Sequence, residues 1–228
     1  MALIELRGLT KTYRLGDEIL HALDGVNLSV QGGEFVAITG PSGSGKTTLA
    51  NIIGGLDRPT SGTVIVDGND LSRVRDNKLS AYRNKYVGFV FQSFNLQGTQ
   101  TALENVMLPL VFAKIRPKVR KTRAVACLEA VGLGDRLSHR PSQLSGGQRQ
   151  RVAIARALAA TPRIIIADEP TGNLDSLRGE EIMKLLKQLN KQGITLIVIT
   201  HDPNIARQAG RIVQIYDGRL SERRGTVV

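Results

Sequence analysis

Residues 35–48 read "FVAITGPSGSGKTT". A short apolar run ends at Gly40. The stretch from Gly40 to Thr47 then fits the spacing G-x-x-x-x-G-K-[ST], and a helical pattern starts at about Thr47. No other feature of the chain restricts its fold as much, because the pattern works only as a glycine-rich turn between a strand and a helix. The glycines let successive backbone N–H groups turn inward, so Gly40, Pro41, Ser42, Gly43, Ser44, Gly45, Lys46, Thr47 and Thr48 form a candidate phosphate cradle. Lys46 suits the β- and γ-phosphates of a nucleotide, and the Thr47 hydroxyl suits Mg²⁺.

The surrounding pattern gives the class. "LIELRGLT", "VNLSVQGGE" and "GTVIVDGND" alternate β-branched residues with turn formers and read as strands. Residues 93–160 are mostly helical, with helices over 101–112 and 118–131. "RIIIADE" (163–169) and "ITLIVITHD" (194–202) are continuous apolar strands, as expected where helices cover both faces of a parallel sheet. Between them Ile182, Leu185, Leu186 and Leu189 recur at helical spacing, so 177–191 is an amphipathic helix that stops at Gly193. "RIVQIYDGRL" reads as a hairpin, and the polar tail after Leu220 carries no signal. There is no repeat or linker. The expectation is one α/β unit over 1–228, with a helical insertion at about 93–160.

A second anion site follows much later. In "LSGGQRQRVAIARAL", Leu144 to Leu158, Ser145 and the pair Gly146-Gly147 precede an apolar helix studded with arginine. Free N–H groups, a hydroxyl and the positive end of a helix together favour an anion. Two further acids end "IIIADE". Asp168 and Glu169 stand at the carboxyl end of a buried strand, where ligands bind in open α/β sheets. Asp168 suits Mg²⁺ held through water, and Glu169 is placed to orient or deprotonate an attacking water. His201 follows the next apolar strand and is a candidate γ-phosphate contact. Gln92, after "VGFVF", is an uncharged group able to touch both Mg²⁺ and water. His21 and His139 have no such placement.

Composition narrows the alternatives. The longest apolar runs, such as "IIIA" and "LIVI", are far too short to span a bilayer, and no leader pattern opens the chain, so the expectation is a cytoplasmic protein. A single cysteine, Cys127, excludes an internal disulfide and shares a helical stripe with Ala124, Leu128 and Val131, which suits core packing. The net charge of +11 invites nucleic acid, anionic lipid or nucleotide. "KIRPKVRKTR" (114–123) concentrates that charge but reads as a solvated helix face, because no zinc-finger spacing or basic-aromatic interleaving accompanies it.

"GPSGSGKTT", Gln92, "LSGGQ", "IIIADEPTGNLDS" and His201, in this order, resemble the ATP-binding subunit of an ABC transporter over nearly the whole chain. "LSGGQ" is the most specific element. "GFVFQSFNL", "TALENVMLPL" and "DEPTGNLDS" are similar to the branch that includes lipoprotein-release and macrolide-export ATPases. The resemblance implies a P-loop NTPase with a RecA-like core, an N-terminal antiparallel β subdomain and the helical insertion. It implies ATP and Mg²⁺ as ligands, and two copies packed head to tail.

In that arrangement Ser145, Gly146, Gly147 and Gln148 bind ATP held by the partner copy, and Asp175 lies at the seam. Tyr13, 27 residues before Gly40, matches the aromatic that stacks on adenine in this family. The resemblance further implies integral membrane permease subunits as partners, a place at the inner face of the membrane, and export or extraction of a substrate. The alternative within the family is an ATPase that signals through a membrane partner, as in cell division. A nucleic-acid partner is not expected, since residues 47–144 between the two motifs hold no long coiled coil.

One departure touches the permease contact. Where the branch has an apolar, proline-containing stretch, this chain has Gln97-Gly98-Thr99-Gln100, expected to make the wall more polar and more mobile. Phe94 and Leu96 either meet the permease there or pack the core of the insertion itself.

Overall fold

The structure is a computed structural model and describes residues 2–223. Two sheets organise the fold. The first is antiparallel and contains β1 (Ala2–Leu15), β2 (Glu18–Gln31), β4 (Ser61–Val66) and β5 (Asn69–Asp70), in the order β2-β1-β4-β5. From Val26 onward β2 alternates strictly, with Val26, Leu28 and Val30 buried and Asn27, Ser29 and Gln31 exposed. That period of two puts one face on the core and one in water.

The second sheet contains β3 (Phe35–Thr39), β6 (Val87–Phe91), β7 (Ile164–Asp168), β8 (Thr195–Ile199), β9 (Arg211–Tyr216) and β10 (Arg219–Arg223), in the order β10-β9-β3-β8-β7-β6. All neighbours are parallel except the β9–β10 hairpin, whose turn carries positive φ at Asp217 and Gly218. The central strands β3, β7 and β8 are buried almost throughout, which is why they lack alternation.

The two faces of this sheet feed two cores. Ile164, Ile166, Ile197 and Ile199 pack with the antiparallel sheet and α1 (Lys46–Ile53). Ile165, Ala167, Leu196 and Val198 pack with α3 (Ala102–Phe112), α4 (Pro117–Ala130), α5 (Gly146–Leu158) and α6 (Ser176–Lys191). α2 (Asp76–Tyr86) and the short α7 (Pro203–Ala206) complete the α-helices among the described residues, beside a 3-10 turn at Pro141–Gln143. Neither α2 nor the first half of β2 follows from the sequence pattern.

Cys127 is half-buried in the helical core, where burial pushes its thiol up from the ordinary value. Of the six basic residues in 114–123, all but the half-buried Arg120 are exposed. Among the described residues no helix is long and apolar enough to cross a membrane.

The departure at 97–100 is not loosely held. Asn105, fully buried on α3, accepts from the Gln97 amide at 2.7 Å and donates to the carbonyls of Gln97 and Gln100. Asn105 thus clamps the main chain of this polar wall. Leu96 is half-buried and packs against the helical core.

Candidate active site

Strand register brings the site together. Phe91 pairs with Asp168, Asp168 with Ile199, and Ile38 with Ile199, so β3, β6, β7 and β8 end at one edge. Gly40, Gln92 and Glu169 directly follow β3, β6 and β7, and His201 lies two residues past β8. They line one cleft of about 720 Å³ together with Tyr13, Pro41, Ser42, Gly43, Gly45, Lys46, Thr47, Thr48 and Asp168.

The loop 40–48 needs glycine at two positions for two reasons. Gly40 and Gly45 both have positive φ. A Cβ at Gly40 would stand 2.2 Å from the Ile215 carbonyl oxygen, and one at Gly45 2.3 Å from that of Ala22. Lys46 lies along the loop, its Nζ donating to the carbonyls of Gly40 at 3.0 Å and Pro41 at 2.7 Å. An ammonium satisfied by weak neutral acceptors is available to a phosphate. Ser44 differs from its neighbours. It is buried, its hydroxyl is unpaired among the described residues, and it does not line the cleft.

The acids occupy unlike settings. Asp168 Oδ2 accepts from Thr47 Oγ1 at 3.4 Å. Burial, and then the charge of Glu169, push its carboxyl above the ordinary value. Nearby positive charge would relieve both effects. Hydroxyl, carboxylate and amide oxygens from Thr47, Asp168 and Gln92 are the hard donors that Mg²⁺ takes, usually beside substrate phosphates and water. Among the described residues no group of three or more His, Cys, Asp and Glu could hold a metal. The mixed oxygen set therefore fits a cation shared with a nucleotide, not a cage of its own.

Glu169 adopts a left-handed backbone, φ 45°, a sparsely populated conformation that clusters at functional sites. Its carboxylate meets the end of β8. Oε1 accepts from the His201 amide at 2.9 Å and lies 2.6 Å from His201 Nδ1, while Oε2 accepts from Thr200 Oγ1 at 3.2 Å. Thr200 is fully buried, and its oxygen also accepts from the Asp202 amide. Sequence reasoning missed Thr200, although it directly precedes His201. Gln92 is fixed from the main chain, its carbonyl accepting from Asn173 Nδ2 at 2.9 Å.

Residues 145–148 do not line this cleft. Ser145 caps α5: its Oγ accepts from the Gln148 amide at 3.3 Å, and Gln148 Oε1 accepts from the Ser145 amide at 2.9 Å. Within one chain these side chains satisfy each other. Asp175 caps α6 in the same way, accepting from the Arg178 amide at 3.0 Å. A Cβ on Gly146 would lie 3.2 Å from Leu174, so the starts of α5 and α6 are neighbours.

Phe94 and Asn95 both have positive φ. Arg156 on α5 donates to both of their carbonyls, and the Arg149 guanidinium stands 5.1 Å from the centre of the Phe94 ring. The segment leaving Gln92 is thus tied to the helix that begins at Ser145.

Known proteins resemble this chain in sequence and fold. The family model described as ABC transporter matches residues 23–172. An uncharacterised ABC transporter ATP-binding protein of Thermotoga maritima is 55% identical over 226 residues, covering 98% of this chain and 97% of that one. The macrolide export ATP-binding/permease protein MacB of Rhodopirellula baltica is 51% identical over 223 residues, but this chain spans only 33% of its length. Among solved structures, the post-hydrolysis dimer of the ATP-binding cassette MJ0796 bound to ADP and Pi matches with a TM-score of 0.89 and 50% identity, over 98% of this chain and 100% of that one. The chain belongs to the ABC transporter family, as an ATP-binding cassette.

Proposed function

We propose that the cleft binds ATP with Tyr13 against the adenine and residues 40–48 around the phosphates, and that Glu169 is the base for hydrolysis. Thr47, Asp168 and Gln92 hold Mg²⁺. When bound, the cation supplies charge neutralisation at the phosphate oxygens. Lys46 leaves its loop carbonyls for the β- and γ-phosphates. A water oxygen forms a bond to the γ-phosphorus, the bond to the bridging oxygen breaks, and Glu169 takes the water's proton. His201 and Thr200 aim the Glu169 carboxylate, and His201 reaches the γ-phosphate.

The observation that carries this reading is the convergence of four strand ends and the loop at 40–48 on one cleft that residues 145–148 do not enter. A second copy packed head to tail brings its Ser145, Gly146, Gly147 and Gln148 to the open side, with Asp175 at the seam. Each ATP then lies between two copies, and hydrolysis loosens them. The protein drives a separate permease from the inner face of the membrane, in the direction of export or extraction; the likeness to a macrolide export protein supports that direction. A second cleft of about 490 Å³, lined by Leu56, Phe89, Leu108, Phe112 and Arg156, is the place for a permease helix, and Phe112 is 76% exposed there.

Glu169→Gln tests the base. The amide keeps the shape but accepts no proton, so turnover should fall by about 10²–10⁴-fold. ATP binding should survive because Lys46 and Asp168 remain. ATP should then hold a stable dimer on size-exclusion chromatography. Near-normal hydrolysis by this variant ends the assignment.

A further inference from the structure

Tyr13 sits in a set of contacts that ties β1 to the segment after α1, and its hydroxyl also meets the Thr48 side chain of the loop at 40–48. Its hydroxyl donates to Asp57 Oδ2 at 2.6 Å. Asp57 Oδ1 accepts from Lys11 Nζ at 2.7 Å. The same ammonium stands 4.8 Å from the centre of the Tyr13 ring. A third bond runs from Lys11 Nζ to the Arg58 carbonyl at 2.8 Å. The Lys11 side chain is 13% exposed and that of Asp57 29%. In such a pair, desolvation offsets much of the attraction, so its net stabilisation is small. What the set does fix is the position of one aromatic ring.

Chain geometry explains how the three residues meet. Lys11 and Tyr13 are two apart on β1, on either side of a register irregularity against β2, and the Lys11 ammonium stands beside the Tyr13 ring. Asp57 lies on the turn after α1, where the amides of Leu56 and Asp57 both donate to the Asn51 carbonyl. The following residues run along β1: the Thr60 amide donates to the Thr10 carbonyl at 2.8 Å, and the Thr12 amide to Thr60 Oγ1 at 3.0 Å. α1 therefore starts at the phosphate cradle, where the Thr48 side chain meets the Tyr13 hydroxyl, and leads into the turn that carries Asp57.

Tyr13 lines the cleft, as does its cross-strand partner Leu20, whereas Lys11 does not. One side of the ring is backed by a cation and the ring remains open to the cleft. We propose that Lys11 and Asp57 are positioning residues for the nucleotide base, locking the Tyr13 ring so that its open face and Leu20 receive a purine. The proposal rests on the reading of Tyr13 as the adenine platform. A ring already fixed loses little rotamer freedom when a base stacks on it. The ammonium draws ring electron density toward itself, which favours an electron-rich purine on the opposite face. Burial, and then the bond to Asp57, raise the Tyr13 phenol, so it stays a donor at neutral pH. Burial works against the Asp57 carboxylate, but Lys11 and Tyr13 outweigh it and hold its pKa below the ordinary value.

The test compares two ligands on the isolated chain: Mg-ATP, and ribose 5′-triphosphate, which has no base. Asp57→Asn and Lys11→Met should each weaken ATP by about tenfold, equivalent to 1.4 kcal/mol, and leave ribose triphosphate unchanged. The kcat at saturating ATP should hold while KM rises. Tyr13→Phe removes the hydroxyl's contacts with Asp57 and Thr48 and leaves the ion pair in place, so it serves even if Asp57→Asn folds poorly; it should weaken ATP alone, by about threefold. Equal losses for both ligands overturn the proposal, because the residues then merely support the cleft. So does unchanged ATP affinity in Asp57→Asn, Lys11→Met or Tyr13→Phe while Tyr13→Ala weakens it. If Tyr13→Ala affects neither ligand, the adenine platform itself falls, and the proposal with it.

Discussion

Asp168 shows how a single residue sets function against stability. Its carboxyl is more than half buried beside Glu169, and both facts disfavour its charge; Thr47 and Lys46 relieve this only in part. Without a cation in place the fold carries that strain. Asp168→Asn should therefore raise the melting temperature of the nucleotide-free chain by about 2 °C. The same change should lower Mg²⁺-dependent hydrolysis by about 100-fold or more, since a carboxylate aimed at the developing charge is gone. Differential scanning calorimetry and a phosphate-release assay read the two effects; a variant that melts lower removes the idea of strain. Asp168 was legible in the sequence because an acid ending a buried apolar strand stands in a chain that also carries the loop at 40–48; alone, the acid reads as well as a cap of the next turn. Thr200 was not, because its role depends on Glu169 taking a left-handed backbone that turns its carboxylate to the end of β8. No residue pattern announces that conformation for a glutamate.

Whole elements obey the approach of backbone to backbone. β6 and α5 meet at Gly88, where a Cβ would lie 2.7 Å from the Ala157 carbonyl oxygen and 2.9 Å from its Cβ. Neither atom can swing aside, so Gly88→Ala should cost about 1–3 kcal/mol. Gly98 is the contrast: nothing stands within 4 Å of its added Cβ, and Gly98→Ala should stay within about 0.5 kcal/mol of the parent. Urea unfolding of the two variants decides; similar midpoints refute the close approach at β6. The strands of the parallel sheet and α6 were readable because burial on both faces gives continuous apolar runs and an amphipathic helix gives a 3.6 period. The clamp on 97–100 was not legible because it comes from Asn105, whose amide points inward from the following helix. Leu96 could be placed only once that helix was in place, packed on the core and not free in a groove. The Lys11–Asp57 contact is equally invisible, since nothing local joins residues 46 positions apart.

At the scale of the whole molecule the question is whether one chain holds a complete site. The cleft carries the loop at 40–48, the proposed cation ligands and the proposed base, while Ser145 caps a helix outside it. If the second copy supplies the missing wall, two different defects should complement. Lys46→Ala removes the phosphate grip, and Ser145→Arg blocks the opposing face by bulk. Each alone should hydrolyse ATP at a few per cent of the parent or less, on the order of the losses seen when one such group is removed. In a mixed dimer, one site joins the damaged loop to the damaged cap, and the other joins an intact loop to an intact Ser145. Mixing the two variants should therefore restore ATP-dependent dimers on size-exclusion chromatography, with partial hydrolysis from the intact site. Ser145→Arg also deletes a helix cap, worth about 1 kcal/mol, so a modest fall in its melting temperature is expected and does not count against the idea. A self-contained site predicts otherwise: Ser145→Arg alone would hydrolyse and dimerise normally, and mixing would add nothing beyond the sum of the parts.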